Sequence, residues 1–227
     1  MSPLERPVWE SLTTYHAPLS EGNALARRFL HDVSLFASAR DDTPEALTAL
    51  AALVRPGETV VLLQVPDNVI PPGFVVAKAA KAVQMVATRS VQAEPTRAEI
   101  LTLGDADVPE MLALARLTEP GPFEPRTHTM GTFLGIRIGR RLAAMAGERL
   151  RVPGYTEVSG VCTHPDFRGR GLARCLSARV TARIETRREQ PFLHAWKTNH
   201  AAISLYEALG FRVRAEVDVA VLERVDD

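Results

Sequence analysis

Apolar positions recur along the chain with two different periods, which predicts a protein that mixes helices and strands. Between residues 172 and 184 an apolar side chain stands at every fourth position, the spacing of a buried helix face. Valine occupies every second position from 217 to 221, the spacing of a strand with one buried face. From residue 100 onward the order is strand, helix, loop, three strands, helix, strand, helix and two strands. This order predicts an α+β fold with a mostly antiparallel central sheet flanked by helices, rather than a doubly wound Rossmann sheet.

The boundaries of these elements follow from proline, glycine and capping residues. In the second half we predict strands at 100–103, 133–138, 142–149, 154–163 and 192–196, helices at 105–117, 171–188 and 199–209, and a closing hairpin of 211–213 with 216–222. Asn199 is the predicted N-cap of the last of these helices.

The first part of the chain carries fewer chemical features. A helix is predicted at 44–54, with Thr43 as its cap, and strands are predicted at 59–65 and 81–88. The composition changes around residues 91–95. We therefore expect residues 1–92 to form a smaller α/β module, with a packing or dimerising role, and residues 93–227 to form the main domain.

The sequence R-G-R-G at residues 168–171 stands between a strand and a helix. Gly169 and Gly171 allow the backbone to turn several N–H groups towards one point. The start of the following helix adds partial positive charge at that point. The turn therefore predicts a site for a phosphate or pyrophosphate. It is not a Walker A loop, because no Lys-Ser/Thr pair follows, and it lacks the third glycine of the dinucleotide motif.

The strand before the turn has features of a ligand-binding strand. Its alternation places Glu157, Ser159, Val161 and Thr163 on one face. Gly160 weakens the ladder and predicts a bulge that splays the strand. Unpaired backbone groups on a splayed strand suit an extended ligand with amide groups, such as pantetheine.

From about residue 100 to its end, the chain resembles the GNAT superfamily of acyl-CoA-dependent N-acyltransferases. The resemblance rests on E-V-S-G-V-C-T-H-P at 157–165, R-G-R-G-L-A at 168–173, and Asn199 followed by L-Y-E-A-L-G-F at 205–211. Within the superfamily the chain resembles the branch with a glycine N-acyltransferase-like C-terminal domain and an added N-terminal segment. The resemblance implies a GNAT-like fold and acetyl-CoA as cosubstrate.

The resemblance also assigns roles to individual residues. Asn199 would bond the pantetheine arm, and Tyr206 would protonate the leaving thiolate. These two residues are seven positions apart, which is nearly two helical turns, so they share a helix face. The alternative for Tyr206 is a core aromatic residue. The pantetheine would pair with the main chain of Val161, Cys162 and Thr163, and the pyrophosphate would lie on Arg168, Gly169, Arg170, Gly171, Leu172 and Ala173.

Glu157 is the candidate general base. An amine is mostly protonated near neutral pH and must lose a proton before it attacks a thioester. In the family, some members carry their base at this distance upstream of the turn. The alternative is an ordinary strand glutamate, exposed or paired in a salt bridge, and a base acting through a water molecule is also open.

Other residues near these motifs have weaker chemical signals. Cys162 and His164 lack a third orienting group, so packing is favoured over a covalent acyl-enzyme. His194, His128 and Glu124 are candidates for lining an acceptor cavity, although a structural role is the simpler interpretation for each. No set of residues indicates a metal site.

Composition narrows the functional classes. Basic and acidic residues number 27 each, so no net charge would recruit nucleic acid or an anionic membrane. The two cysteines lack a CxxC pattern, which is typical of free thiols in a reducing compartment. The chain begins without an apolar signal core and has no apolar run long enough to span a bilayer, so a cytoplasmic location is expected.

Together these features predict an N-acetyltransferase that moves an acetyl or other acyl group from acetyl-CoA to a primary amine by direct attack in a ternary complex. The amine would belong to a small molecule or a peptide. The alternative is a catalytically silent module that binds acyl-CoA or regulates a partner. Homodimerisation is left open.

Overall fold

Eleven strands and five α-helices form in residues 2–91 and 99–225, which are the residues that the computed structural model of the protein describes. The strands are β1 (Ser20–Gly22), β2 (Ala26–Phe29), β3 (Ala37–Ala39), β4 (Thr59–Gln64), β5 (Phe74–Ala87), β6 (Ile100–Leu103), β7 (Phe133–Ile138), β8 (Arg141–Val152), β9 (Tyr155–Thr163), β10 (Gln190–Trp196) and β11 (Phe211–Arg224). The helices are α1 (Pro7–Thr13), α2 (Pro44–Leu53), α3 (Val108–Thr118), α4 (Leu172–Thr186) and α5 (His200–Ala208).

One eight-stranded sheet organises the fold, with the strand order β4-β11-β5-β10-β9-β8-β7-β6. Strands β9 and β10 are parallel, and the other neighbouring pairs are antiparallel. The predicted α+β class with a mostly antiparallel sheet is therefore confirmed. Strands β1, β2 and β3 form a separate small sheet.

The N-terminal part of the chain contributes directly to the large sheet. Strand β5 lies between β10 and β11 and pairs with both. Strand β4 pairs with β11 at the edge. The expected boundary between residues 1–92 and 93–227 lies outside the described residues, and strands from both sides of it belong to the same sheet.

Helices cover both faces of this sheet. On one face, Leu176 and Ile184 of α4 pack with Leu193 and Phe211 in a single apolar cluster. The predicted α4 stripe is buried throughout, and each such side chain contributes roughly 1.5–3 kcal/mol on burial. On the opposite face, residues of α1 and Phe36 cover β4, β10 and β11.

The predicted helix caps are confirmed. The hydroxyl of Thr43 accepts a hydrogen bond from the Ala46 N–H at 3.4 Å and starts α2. The side-chain oxygen of Asn199 accepts from the Ala202 N–H at 3.1 Å and starts α5. Such caps satisfy N–H groups that have no partner inside the helix.

Two strand predictions were wrong for one shared reason. Residues 211–224 form a single strand with a bulge between Val213 and Ala215, not a hairpin. Strand β5 begins at Phe74, seven residues before its predicted start at 81. Each strand is long because it pairs with the other over its whole length, and local sequence patterns do not reveal such a distant partner.

Candidate active site

The site lies where β9 and β10 stop pairing. The two parallel strands are paired only from Gln190–Tyr155 to Phe192–Glu157. Past this point, Gly160 adopts a φ of 61° and β9 bulges against β8. A left-handed φ favours glycine, and the close approach of Phe133 leaves no room for a Cβ there. The bulge predicted at Gly160 is confirmed, and the opening it borders is the place for a ligand.

A cavity of about 260 Å³ occupies this opening. Residues of α5, including Tyr206 and Asn199, line one end of it. Phe36, Val61 and Leu63 from the N-terminal part of the chain line the other end. Because these two groups belong to opposite faces of the sheet, the cavity connects the α5 side with the side covered by the N-terminal residues.

Tyr206 of α5 is a buried residue of the cavity lining. Its side chain is 8% exposed, packs on Phe211 with ring centres 6.0 Å apart, and lines the cavity. Burial raises the pKa of the Tyr206 hydroxyl well above its usual value. The hydroxyl is therefore protonated at neutral pH. Asn199 lines the cavity on the same helix, as the shared helix face predicted.

Glu157 is fully buried and surrounded by donors. The Arg149 guanidinium donates to both carboxylate oxygens, at 2.9 and 2.7 Å, and the Leu150 N–H donates at 3.2 Å. His194 Nδ1 lies 2.7 Å from the same carboxylate. Burial alone would raise the pKa of Glu157, but the positive charge of Arg149 and these hydrogen bonds lower it well below its usual range.

This environment is that of the salt-bridged strand glutamate considered as the alternative. A carboxylate with so low a pKa has little affinity for a proton, so it is a weak base. The described geometry does not favour Glu157 as the group that takes the amine proton, and that role stays a prediction.

The hydrogen bonds around His194 define its tautomer. Gln84 accepts from Arg214 through Oε1 at 3.0 Å and donates to the Leu4 carbonyl through Nε2 at 2.9 Å. The same Gln84 Nε2 is 3.1 Å from His194 Nε2. His194 Nε2 therefore accepts, and Nδ1 carries the proton donated to Glu157. Gln84 thus ties the N-terminal part of the chain to the site.

The R-G-R-G turn has the conformation that an anion site requires. Gly169 and Gly171 have φ angles of 75° and 72°, and a Cβ at either position would meet no atom within 4 Å. Gly171 precedes α4, and no side chain among the described residues caps this 15-residue helix. Its first N–H groups are therefore available to an anion. The turn lies outside the cavity lining, on the side of α4 and α5.

Cys162 and Thr163 follow the bulge on β9. Burial raises the pKa of the Cys162 thiol to about 11, so it is protonated and a poor nucleophile. The Thr163 hydroxyl is buried without a hydrogen-bond partner among the described residues. His164 accepts from the Asp166 N–H at 3.2 Å and starts the next turn, which fits the predicted structural role.

The charged and histidine residues that line the cavity differ from the sequence-based expectation. His194 lines it, but His128 pairs with Asp105 at 2.7 Å instead, and Glu124 does not reach it. Glu119 at the end of α3, Lys78 of β5 and Arg149 of β8 are the charged lining residues that the sequence did not indicate. The prolines at 120 and 122 marked the loop, but nothing in the sequence marked β5 as part of the site.

Comparison with known proteins identifies the family. A solved protein from Novosphingobium aromaticivorans, described as an acetyltransferase of the GNAT family, is 42% identical and matches over 100% of both chains with a TM-score of 0.92. The chain belongs to the GNAT family of acetyltransferases. Residues 133–219 also match the family model described as FR47-like protein, and this stretch contains Gly160, the R-G-R-G turn and Tyr206.

Other GNAT structures share the fold at lower identity. A GCN5-related N-acetyltransferase from Kribbella flavida matches 100% of this chain and 97% of its own, with 17% identity and a TM-score of 0.66. A GNAT acetyltransferase from Colwellia psychrerythraea matches 94% of this chain and 89% of its own, with 12% identity and a TM-score of 0.53. No protein of curated function matches the chain.

Membrane-spanning helices and metal-ligand clusters are both absent from the described residues of this GNAT protein. None of its helices is both long enough and apolar enough to cross a membrane. No three His, Cys, Asp or Glu side chains within residues 2–91 and 99–225 come together as a metal site would require.

Proposed function

We propose that this GNAT protein transfers an acetyl group from acetyl-CoA to a primary amine, which attacks directly in a ternary complex. The observation that carries the proposal is the single cavity that joins the two sides of the opening between β9 and β10. Acetyl-CoA bound along β9 and α5 and an amine bound against the N-terminal residues would meet in this cavity. Such positioning removes most of the entropic cost of a two-substrate reaction.

The donor side has unused groups that fit acetyl-CoA. The main chain of Val161, Cys162 and Thr163 would bind the pantetheine, and the unpartnered Thr163 hydroxyl offers a further contact. Asn199 uses its side-chain oxygen as a helix cap, which leaves its amide N–H₂ to donate to the arm. The pyrophosphate would lie on residues 168–173, at the uncapped start of α4. When bound, the thioester supplies an activated acyl group.

Two proton transfers accompany this reaction, one to the sulfur and one from the nitrogen. A bond forms between the amine nitrogen and the carbonyl carbon, and the carbon–sulfur bond breaks. Tyr206, which is protonated at neutral pH, gives its proton to the departing sulfur. The nitrogen loses its proton to solvent water, and Tyr206 takes a proton back from solvent. The sequence assigned the first of these two transfers to Glu157. In the proposal Glu157 contributes mainly by holding Arg149 and His194 in place, because its carboxylate is already paired with both.

The remaining sequence-based expectations stay part of this proposal. They are membership of the glycine N-acyltransferase-like branch and a cytoplasmic location, which the free thiols of Cys162 and Cys175 fit. The catalytically silent acyl-CoA-binding module is disfavoured by the protonated Tyr206 at the cavity.

The proposal is tested by release of free CoA thiol from acetyl-CoA in the presence of a panel of primary amines, with mass spectrometry of the products. We expect N-acetylated amine and thiol in equal amounts, and initial-rate plots that intersect as a ternary complex requires. Tight CoA binding without turnover of any amine would instead support the silent module. A stable acetyl-enzyme would refute direct attack.

A further inference from the structure

The acceptor end of the cavity has a continuous apolar floor. Val221 of β11 lies directly beside Val61 of β4 in the sheet, and Val219 lies beside Leu63 in the same way. All four side chains line the cavity. Phe36 lines it as well. This surface would bury an aliphatic or aromatic group of an acceptor and has no group to pair with a polar one.

Lys78 provides a positive charge at the edge of this floor. It pairs in register with Val221 and lines the cavity, and its Nζ lies 5.9 Å from the centre of the Trp196 ring. The other cation of the lining, Arg149, is committed to Glu157. Within residues 2–91 and 99–225, Lys78 has no carboxylate partner. It is therefore the cation that remains for a ligand.

Glu119 provides a negative charge in the cavity lining, in the loop after α3. Its φ of 48° is left-handed, a conformation usually left to glycine or asparagine at a helix end. A carboxylate at this position is also disfavoured by the helix dipole. The Glu119 side chain has no hydrogen-bond or ion-pair partner among the described residues, although its backbone N–H donates to the Ala115 carbonyl. A residue that breaks two local rules at a cavity is a candidate for a functional role.

We propose that the acceptor is an amine with an apolar body and an anionic group, as in an apolar amino acid. The ammonium of the incoming acceptor lies at Glu119, its anionic group at Lys78, and its body on the floor formed by Val61, Leu63, Val219 and Val221. This inference rests on the proposed function, since it names the acceptor for the same cavity.

Matched pairs of acceptors test the role of Lys78. L-phenylalanine is compared with phenethylamine, L-leucine with isoamylamine, and 4-(aminomethyl)benzoate with benzylamine. The benzoate places its ammonium and carboxylate further apart than an α-amino acid does. We expect kcat/KM to be at least about tenfold higher for one or more of the carboxylate-bearing members, the size of a charge-assisted contact. Lys78→Gln should remove this preference by raising KM for the carboxylates, while the amines without a carboxylate keep their KM values.

Lys81→Gln is the control for Lys78→Gln. Lys81 belongs to the same strand, pairs with Asp67 and Asp218 and does not line the cavity, so the preference for carboxylates should stay.

Glu119→Gln tests the proposed contact with the ammonium and should raise KM for every amine about tenfold or more. Its control is Glu124→Gln, in the same loop but outside the lining, which should leave KM unchanged.

The outcomes separate this inference from the proposed function. Turnover of the amines without a carboxylate equal to or better than that of the carboxylates, or an equal effect of Lys78→Gln on both groups, overturns the inference while the acetyltransferase proposal stands. If no amine is turned over, calorimetric titration of L-phenylalanine into the CoA-bound protein decides. Binding that Lys78→Gln weakens supports the acceptor site although the proposed function fails, and absence of binding overturns the site too.

Discussion

Removing Arg149 should destabilise the protein far more than removing an arginine from a surface ion pair. The Arg149 and Glu157 side chains are 9% and 1% exposed, so solvent hardly screens the pair. Arg149→Met leaves a buried carboxylate without its counter-charge, which typically costs about 3–5 kcal/mol. Arg149 also lies over the Phe36 ring, with its guanidinium carbon 4.7 Å from the ring centre, and this contact is worth roughly 1 kcal/mol. We expect the free energy of unfolding to fall by about 4 kcal/mol or more.

Urea unfolding, followed by tryptophan fluorescence, measures this change. The double variant Arg149→Met, Glu157→Leu should recover most of the loss, because a pair of buried charges can often be replaced by apolar groups at little cost. Arg126→Met is the matched control, since Arg126 and Asp32 are 45% and 50% exposed and such pairs contribute about 1 kcal/mol or less. A loss below about 1 kcal/mol for Arg149→Met would refute the view that this pair is a buried, mutually dependent unit.

Four further outcomes are expected. Tyr206→Phe should lower kcat about 10²-fold or more with little change in acetyl-CoA affinity, and an unchanged kcat under conditions where chemistry limits turnover would exclude Tyr206 as the acid. Gly171→Val should strongly weaken CoA binding in calorimetry. Gly139 is the matched control, because it has a similar φ of 62° and equally open space but lies in the β7–β8 turn, so Gly139→Val should bind CoA normally. An equal loss of CoA binding in both variants would place the pyrophosphate elsewhere. Cys162→Ala should keep activity, because the thiol pKa of about 11 leaves it protonated, and an inactive but folded variant would reopen covalent chemistry. The pKa of Glu157 is lowered in the folded state, so its ionisation stabilises the fold above the ordinary glutamate pKa of about 4.3. This contribution to the free energy of unfolding should be lost as the pH falls below that value. An acid unfolding transition that is unchanged in the double variant Arg149→Met, Glu157→Leu would contradict this.

The local signals of the sequence predicted the backbone of β9, of the R-G-R-G turn and of the start of α5 well. The cap at Asn199, the bulge at Gly160 and the positive-φ glycines of the turn depend on neighbours within a few residues. Their backbone conformations are therefore encoded where they occur. The assignment of function to these positions came from the family resemblance rather than from the patterns themselves.

The acceptor side could not be predicted in the same way. Phe36, Val61 and Lys78 reach the cavity only because β4 and β5 pair with β11, a strand at the other end of the chain. Likewise, the period of two placed Glu157 on one face of β9, but its partner Arg149 lies on an irregular stretch of β8 where the register shifts. Pairings of this kind depend on tertiary packing, which a single sequence does not display.

The position of β5 has a consequence for the way the chain folds during synthesis. Gln190 hydrogen-bonds to Ala87 across 103 positions of the chain, so β5 leaves the ribosome long before β10 and β11 exist. Pairing over such separations is slow, and until it occurs both edges of β5 are open to aggregation. We therefore expect residues before and after position 92 to fold in one cooperative transition. A fragment that begins at residue 99 should lack the strand that joins β10 to β11 and should recover its structure only when residues 1–91 are supplied.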